Sequence, residues 1–245
     1  MKPVAVITGA ANNIGLAIAN QFSQYYQVVG LDCAFQSEEN SSGSGDGVFK
    51  RVACDITNPA EIESALQQLA RTLGTIKAVV NSAAITESRA SIKDTSIESW
   101  RRMMDINLTG AFIVMKTSIP FLQESQGAGL LITSRAGKVG YAGFDPNPAG
   151  TKAHYCASKA GVISLIKSLA IELAPFGIRI NGLAPGSIEG TMIPKELWAG
   201  LAEKIPLKRL GLPTEIAEAA YFLCSESASY ITGHILDVNG GTLMG

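Results

Sequence analysis

Residues 4–15 have the sequence VAVITGAANNIG, and this segment decides the fold of the chain. It begins with four consecutive apolar residues, 4–7, as expected of a parallel strand that is buried on both faces. A helical pattern begins after Gly15, and a second apolar run follows at residues 28–31. Strand, turn, helix and strand in this order predict a βαβ unit, whose crossover is expected to be right-handed.

The turn after the first strand has the features of a dinucleotide site. Gly9 and Gly15 would let the backbone turn and approach a pyrophosphate at the positive N-terminus of the helix. Asp32 ends the second strand, where a carboxylate can accept hydrogen bonds from an adenosine ribose. That carboxylate would repel a 2′-phosphate, so the sequence favours NAD, with NADP the less favoured cofactor. The alternative is that both glycines serve only the turn and that Asp32 caps a loop.

The alternation of strands and helices continues and predicts one α/β domain over residues 1–245. Further strands are expected at residues 48–54, 76–81, 129–133 and 178–184, with a last strand that ends at Val238. Helical patterns cover residues 58–73, 100–123 and 155–173. We therefore predict a doubly wound parallel sheet of about seven strands with helices on both faces. The polar residues 36–47, QSEENSSGSGDG, are expected to form a surface connection within this domain.

Two polar residues, Asp55 and Asn81, follow predicted strands directly. Ligands collect at the carboxyl ends of strands in an open parallel sheet, which makes both residues candidate cofactor contacts. The alternative is that either residue forms a turn, because Asp and Asn favour turns on local grounds.

Composition excludes several classes of function. Hydrophobic residues make up 47% of the 245 residues and charged residues only 17%, so a large core can be buried. The formal net charge of −1, without a basic run, predicts no nucleic-acid or membrane partner. The short apolar N-terminus predicts no signal peptide, and no apolar run is long enough to span a membrane. Four scattered cysteines and two distant histidines predict no metal site and suggest reduced thiols in the cytoplasm.

Residues 155–159, YCASK, place Tyr155 and Lys159 on one face of a helix. An ammonium group beside a phenol favours the phenolate and lowers a pKa that is about 10 in isolation. Such a tyrosine can accept a proton from an alcohol or donate one to a carbonyl. Ser134 follows the fifth predicted strand, where its hydroxyl could fix a substrate oxygen opposite the tyrosine. The alternatives are an ordinary helix surface for the pair and a strand-end cap for Ser134.

Together, the motifs resemble those of the short-chain dehydrogenase/reductase family over essentially the whole chain. Residues 8–15, TGAANNIG, resemble its TGxxxGxG turn, and residues 81–84, NSAA, resemble its NNAG motif. Residues 107–110, NLTG, resemble NxxG, and residues 155–159 resemble the YxxxK pair. The remaining matches are Ser134, the PG at residues 185–186, and the closing segments at residues 231–233 and 238–241.

The resemblance implies a single Rossmann-like domain that forms a homotetramer or a homodimer and acts as an NAD(P)-dependent oxidoreductase on a small molecule. The catalytic residues that it implies are Asn107, Ser134, Tyr155 and Lys159. Lys159 would hold the nicotinamide ribose, and Asn107 would steady a water that links Lys159 to solvent. The cofactor contacts are expected at Gly9, Asn12, Asn13, Ile14, Gly15, Asp32, Asp55, Ile56, Asn81, Ala83, Tyr155, Lys159, Pro185, Gly186 and Ile188. Residues 187–206 would form a lid over the substrate.

The chain also departs from the family pattern. Asn13 stands where the middle glycine of the turn is usual, and asparagine tolerates left-handed backbone well. Gly190 stands where a threonine usually binds the nicotinamide carboxamide, with Thr191 one place late. Ser82 and Ala84 replace an asparagine and a glycine, which affects the packing beside the nicotinamide.

The segment 135–154 is longer than is usual for the family and borders the predicted substrate side. It contains Arg135, Lys138, Tyr141, Phe144, Lys152 and His154. Cations there could recognise a carboxylate or a phosphate, which would suggest a hydroxy acid, a polyol or an acyl thioester as substrate. The alternative is a solvated loop with incidental charge.

The function that these features favour is the interconversion of a secondary alcohol and a ketone by hydride transfer, with Tyr155 as acid/base. A 3-oxoacyl thioester reductase is the alternative, although such enzymes usually use NADPH and Asp32 disfavours that cofactor. A hypothesis of another class is a non-catalytic dinucleotide-binding sensor. The presence of all four expected catalytic residues argues against a sensor, because a protein without catalysis has little chemical need for them.

Overall fold

The computed structural model describes residues 2–36, 39–40, 49–141 and 150–244. Most of the predicted surface connection at residues 36–47 lies outside the described residues, as does Phe144 in the segment 135–154.

One sheet organises the described chain and confirms the predicted α/β fold. Its strands follow the order β3-β4-β2-β1-β5-β6-β7-β8. Seven of them are parallel, whereas β3 is a two-residue antiparallel strand beside β4 that the sequence analysis did not predict. The strands are β1 (Val4–Thr8), β2 (Gln27–Asp32), β3 (Glu39–Asn40), β4 (Lys50–Ala53), β5 (Ile76–Asn81), β6 (Ala128–Ile132), β7 (Arg179–Pro185) and β8 (Ile235–Val238).

Helices cover both faces of the sheet. The α-helices are α1 (Asn13–Ser23), α2 (Pro59–Leu73), α3 (Ile97–Met104), α4 (Ala111–Ser125), α5 (Arg135–Val139), α6 (Ala153–Leu173), α7 (Trp198–Lys204) and α8 (Pro213–Cys224). Side chains of α2, α4 and α6 pack in one apolar core, and those of α1 and α8 pack in a second core across the sheet. Helices on both faces explain why the central strands are apolar on both sides.

The single helix that the sequence predicted over residues 100–123 is divided in the structure. It begins earlier, at Ile97, and passes through a π-helical turn, Asp105–Gly110, before α4 continues. A π-helical turn shifts the side chains that follow it relative to those of a regular helix, and such turns occur frequently at functional sites. Hydrophobic periodicity alone cannot reveal this shift, because the apolar residues on both sides still repeat at helical spacing.

The predicted lid at residues 187–206 contains a short 3-10 helix, Lys195–Leu197, followed by α7. It leaves the end of β7 and lies at the carboxyl edge of the sheet, beside the cavity described below. Among the helices of the described ranges, none has the length and apolar character that crossing a membrane requires. Within the same ranges, no cluster of three or more potential metal ligands occurs.

Candidate active site

A cavity of about 500 Å3 lies at the carboxyl edge of the sheet. The strand order reverses beside it, because β1 pairs with β2 on one side and with β5 on the other. Ligands of open parallel sheets bind at such a point. The predicted site residues that line the cavity are Gly9, Asn12, Asn13, Ile14, Gly15, Asp32, Asp55, Ile56, Ala83, Ser134, Tyr155, Lys159, Pro185, Gly186 and Ile188.

The glycine turn after β1 is packed too tightly for side chains. A Cβ atom on Gly15 would lie 1.9 Å from the carbonyl oxygen of Gly9, and one on Gly9 would lie 2.7 Å from backbone atoms of Ala83. Gly9 and Asn13 both adopt left-handed backbone, with φ angles of 69° and 46°, as the tolerance of asparagine predicted. The turn therefore brings the N-terminus of α1 to the cavity, where its first N–H groups can bind an anion.

Asp32, the last residue of β2, lines this cavity, and its contact with an adenosine ribose stays a prediction. One carboxylate oxygen accepts a hydrogen bond from the Ala11 N–H at 3.0 Å, and the other accepts one from the Ala34 N–H at 2.9 Å. These bonds fix the direction of the carboxylate, and each oxygen still has capacity to accept from a hydroxyl group. Asp55 lies nearby and is engaged by the N–H and the hydroxyl of Thr57.

Ser134, Tyr155 and Lys159 come together where β6 ends and α6 begins. The hydroxyl of Ser134 accepts a hydrogen bond from the Ala136 N–H at 3.1 Å, so it caps α5, and it is also hydrogen-bonded to the phenol of Tyr155. The ammonium of the buried Lys159 donates to the carbonyl oxygen of Ile132 at 2.9 Å. Its Nζ atom lies 5.9 Å from the centroid of the Tyr155 ring. Ser134 therefore both caps a helix and offers a hydroxyl beside the phenol.

Gly137 sets the distance between the two helices that carry these groups. A Cβ atom on Gly137 would lie 2.7 Å from the carbonyl carbon of Lys159 and 2.8 Å from its carbonyl oxygen. Helix α5 can approach α6 this closely only because position 137 has no side chain, and the approach brings Ser134 to Tyr155. The sequence analysis did not identify Gly137, since a glycine in a glycine-rich segment gives no signal of what it contacts.

Burial governs the ionisation of the tyrosine and lysine pair. Burial raises the pKa of Tyr155 to about 12. The hydrogen bond with Ser134 lowers this pKa, but its effect is smaller than that of burial. Burial also lowers the pKa of Lys159 to about 8. The prediction that Lys159 lowers the pKa of Tyr155 is therefore wrong for the protein chain by itself, because loss of hydration opposes both charges. Tyr155 keeps part of its surface exposed along the cavity, so a ligand there changes its surroundings directly.

Two predicted site residues, Asn81 and Asn107, lie behind the cavity wall. The Asn81 side chain accepts a hydrogen bond from the Thr8 hydroxyl at 2.9 Å, which ties the end of β1 to the end of β5. Asn107 belongs to the π-helical turn, and its amide exchanges two hydrogen bonds with the main chain of Ile85, at 2.8 and 3.0 Å. Its amide nitrogen also lies 3.2 Å from the hydroxyl of Ser158. Both asparagines thus position segments that line the cavity, and a water held by Asn107 stays a prediction.

The two departures from the family pattern at positions 13 and 190 are in contact with each other. A Cβ atom on Gly190 would lie 2.4 Å from Nδ2 and 2.5 Å from Oδ1 of Asn13. The amide of Asn13 thus fills the volume that a side chain at position 190 would need. Its oxygen is buried and has no hydrogen-bond partner among the described residues, so it offers an unused acceptor beside the cavity.

The charged residues of the segment 135–154 separate into two groups. Lys138 forms a salt bridge of 2.6 Å with Asp237, outside the cavity wall, and His154 is buried away from the cavity. Lys152, in contrast, lines the cavity and donates a hydrogen bond to the Thr86 hydroxyl at 3.1 Å. The polar cavity residues that the sequence analysis did not identify include Thr57, Thr86 and Arg102. Thr57 and Thr86 come from connections and Arg102 comes from α3, and no motif specifies the tertiary position of these segments.

Comparisons with known proteins agree with this architecture. A family model described as enoyl-(acyl carrier protein) reductase matches residues 9–242. The chain is 35% identical to a 3-oxoacyl-(acyl carrier protein) reductase of Salmonella typhimurium, over 98% of this chain and 97% of that protein. It is 32% identical to a cis-4-hydroxycyclohexanecarboxylate dehydrogenase of Sinomonas cyclohexanicum, over 97% of this chain and 95% of that protein. A ligand-free aldohexose dehydrogenase from Thermoplasma acidophilum matches with a TM-score of 0.84 at 30% identity, over 98% of this chain and 94% of that chain.

The fold, the cavity and these matches define a dinucleotide-binding oxidoreductase class, whose members use NAD(P). The chain belongs to the short-chain dehydrogenase/reductase family, as its motifs predicted. The three relatives are named for a thioester, a hydroxy acid and a sugar, so the substrate of this chain has to be argued from its own cavity.

The contact between Asn13 and Gly190 leads to a prediction for a double-mutant cycle. We expect Gly190→Ala to reduce stability more in the wild-type background than in an Asn13→Gly background, because the new methyl group meets the Asn13 amide only in the former. The φ angle of 148° at position 190 strains alanine in both backgrounds, so that contribution cancels in the cycle. We expect a coupling energy of about 1 kcal/mol, measured by urea unfolding.

The matched control for this cycle is Gly200→Ala, where a new Cβ atom meets nothing within 4 Å. Its effect should be equal in both backgrounds. If the effects of Gly190→Ala and Asn13→Gly are simply additive, the Asn13 amide can turn away at no cost and the contact does not couple the two positions.

Proposed function

We propose that this protein is an NAD-dependent dehydrogenase that interconverts a secondary alcohol and a ketone, with Tyr155 as the acid/base. The observation that carries the proposal is the hydrogen-bonded pair of Ser134 and Tyr155, beside the buried Lys159, in a cavity that continues to Asp32. A phenol that can exchange a proton, a hydroxyl that can orient an oxygen and a dinucleotide cleft are the parts that such a reaction requires.

The residues present fit a dinucleotide. The glycine turn keeps the backbone beside the cavity free of side chains, the N-terminus of α1 offers N–H groups, and Asn13 offers a buried acceptor that has no partner among the described residues. Bound NAD+ would supply the carbon that accepts the hydride and a positive charge beside the phenol. The chain would hold it with Asp32 at one end and with Lys159 at the other.

Three side chains would carry out the remaining steps of the reaction. Ser134 would hold the alcohol oxygen, and Tyr155 would accept its proton, or return it when a ketone is reduced. An ammonium has three donors, and the bond to Ile132 occupies one, so Lys159 can also hold ribose hydroxyls. Because burial raises the pKa of Tyr155 to about 12, its ionisation depends on positive charge brought close to the ring. The assembled complex, not the chain alone, would therefore activate the phenol.

The adenosine end of the cavity supports NAD over NADP. The charged residues that line this end, Asp32 and Asp55, are both carboxylates, and the cations of the cavity wall are Arg102, Lys152 and Lys159. Lys152 and Lys159 lie on the α6 side of the sheet, away from β2, and the N–H groups of Ala11 and Ala34 hold the Asp32 carboxylate in place. A 2′-phosphate beside Asp32 would face this fixed negative charge.

A 3-oxoacyl thioester reductase is the second candidate, because the relatives at 35% identity carry that name. It would use Ser134 and Tyr155 in the same way, since a 3-oxo group is also a ketone. The two candidates differ in the substrate beyond the reacting carbon and in the cofactor, where Asp32 favours the dehydrogenase.

A cytoplasmic location stays a prediction from the sequence.

We also propose that the protein assembles as a homotetramer or a homodimer through α4 and α6. Both helices lie on the same face of the sheet, and each exposes a large apolar side chain, Phe112 on α4 and Ile171 on α6. Ile171 is 80% exposed and lies on the same face of the sheet as Phe112, so both side chains are available to pack against another subunit.

We expect Tyr155→Phe to reduce kcat by about a thousandfold or more, because the proton acceptor is lost, and to change the Kd for NADH by less than about threefold. NADH production with a panel of secondary alcohols and NADH fluorescence measure the two quantities. The control Tyr230→Phe removes a fully exposed phenol and should change neither. Retained turnover in Tyr155→Phe would refute the assignment, and a wild type that binds NADH but turns over no alcohol or ketone would be a sensor.

For the cofactor, we expect Asp32→Asn to improve the Kd for NADPH relative to that for NADH by about tenfold, because the change keeps the shape but removes the charge. Fluorescence titrations with both dinucleotides measure this ratio. The control Asp94→Asn removes an equal charge outside the cavity and should leave the ratio unchanged. A wild type that prefers NADPH would contradict the proposed role of Asp32.

For the assembly, we expect Ile171→Lys to shift the protein to a smaller species in light scattering, because it places a charge in an apolar interface. The control Ile92→Lys changes an isoleucine that is 73% exposed and lies outside α4 and α6. A wild type that is monomeric at micromolar concentration would exclude the proposed assembly.

A further inference from the structure

We propose that Lys152 binds an anionic group of the substrate, so that the preferred alcohol carries a carboxylate or a phosphate a few bonds from the reacting carbon. The inference rests on the proposed function, because it assigns the substrate class of the same cavity. Three observations carry it: the position of Lys152, the distribution of charge around it, and the polarity of the cavity wall.

Lys152 has a defined position in the wall of the cavity, close in sequence to Tyr155. It directly precedes α6, three residues before Tyr155, and its φ angle of 55° is left-handed, a conformation uncommon for lysine. This backbone conformation and the hydrogen bond to Thr86 direct the ammonium to the cavity, which both residues line. Lys152 and Tyr155 line the same cavity, so an anion on Lys152 and an oxygen beside Tyr155 can belong to one small molecule.

Among the described residues, Lys152 differs from two other cations of this region in having no carboxylate partner. Lys138 pairs with Asp237, and Arg102 pairs with Glu87. Within the residues that the structure describes, Lys152 forms no salt bridge, and its ammonium donates to the neutral hydroxyl of Thr86.

A second cation lies close to Lys152 and increases the local positive charge. The guanidinium of Arg89 lies 5.3 Å from the centroid of the Tyr141 ring, which is also part of the cavity wall. Burial lowers the pKa of Lys152, and the charge of Arg89 lowers it further. A half-buried ammonium beside a second cation and without a counter-charge is stabilised by any anion that enters the cavity.

The cavity wall also differs in charge from one side of the sheet to the other. Its two acidic residues, Asp32 and Asp55, lie at the ends of β2 and β4, whereas Lys152 and Lys159 lie on the α6 side, with Tyr155. An anionic substrate is therefore attracted to the end where Tyr155 can react with it and is repelled by the other end. A neutral alcohol would gain nothing from this arrangement.

The test compares each hydroxy acid of about three to seven carbons with its primary amide, which has the same shape but no charge. Alcohols that carry a phosphate monoester form a second arm and distinguish the two sources of the anion. We expect Lys152→Met to lower kcat/KM for the anionic alcohols by about tenfold or more, the loss of one charge-assisted contact, and to leave the amides unchanged. Lys152→Arg should restore at least part of the loss, and Lys93→Met is the control for an exposed lysine outside the cavity.

The possible outcomes separate this inference from the proposed function. Turnover of amides and neutral alcohols that is as fast as that of the acids, with no effect of Lys152→Met, would overturn the inference and leave the dehydrogenase proposal intact. If no alcohol is turned over, the binding of oxo acids to the NADH complex still tests the inference. Oxo acids should then raise the Tm of the wild-type complex but not that of Lys152→Met, and equal shifts in both would overturn it.

Discussion

The hydrogen bond from the Lys159 ammonium to the carbonyl oxygen of Ile132 is the constraint on which the site depends. It joins the fourth residue after Tyr155 to the last residue of β6, so it fixes α6 against the end of the strand that leads to Ser134. Removing a charged group from water is unfavourable unless it is compensated, and one neutral carbonyl compensates it only in part. Folding therefore places an incompletely compensated cation at the cavity wall, and burial lowers the pKa of Lys159 to about 8.

This constraint also explains why the ionisation of the pair cannot be understood from spacing alone. The helical spacing of Tyr155 and Lys159 correctly predicts that they are neighbours, but the 5.9 Å from Nζ to the ring centroid, under burial, does not lower the pKa of the phenol. Desolvation acts on each group separately and is the larger effect for both. In our proposal the missing positive charge arrives with the dinucleotide, which couples proton transfer to an occupied site. Until the dinucleotide binds, the Tyr155 phenol stays neutral, so the free protein does not have to stabilise a buried phenolate.

The sequence predicts the fold and most of the cavity wall well, because both follow from local patterns. Apolar runs that end in Gly9, Asp32 or Ser134 identify strand ends, and in a parallel sheet strand ends meet at one edge. The features that it could not predict depend on contacts between distant segments. The fit of Gly137 against the backbone of Lys159 is one, and the shift of register at the π-helical turn is another.

Asn81 and Asn107 illustrate the same limit of motif reasoning. Their motifs place them correctly at the carboxyl edge of the sheet, but only coordinates show that the side chains bond to Thr8 and to Ile85 instead of facing the cavity. A motif gives the position of a residue in the chain, and the hydrogen-bond partners decide whether that residue contacts a ligand or positions one that does.

Positions 13 and 190 extend this reasoning from single residues to a pair. Taken one at a time, an asparagine in the glycine turn and a glycine in place of a threonine each look like the loss of a contact. In the structure the Asn13 amide occupies the space that a side chain at position 190 would need. Its oxygen is buried beside the cavity and has no hydrogen-bond partner in the described part of the chain. A polar group thus remains at the junction of the turn and the lid, although it is supplied from the other segment. The contact therefore joins the glycine turn after β1 to the segment that follows β7, two segments that are distant in the sequence.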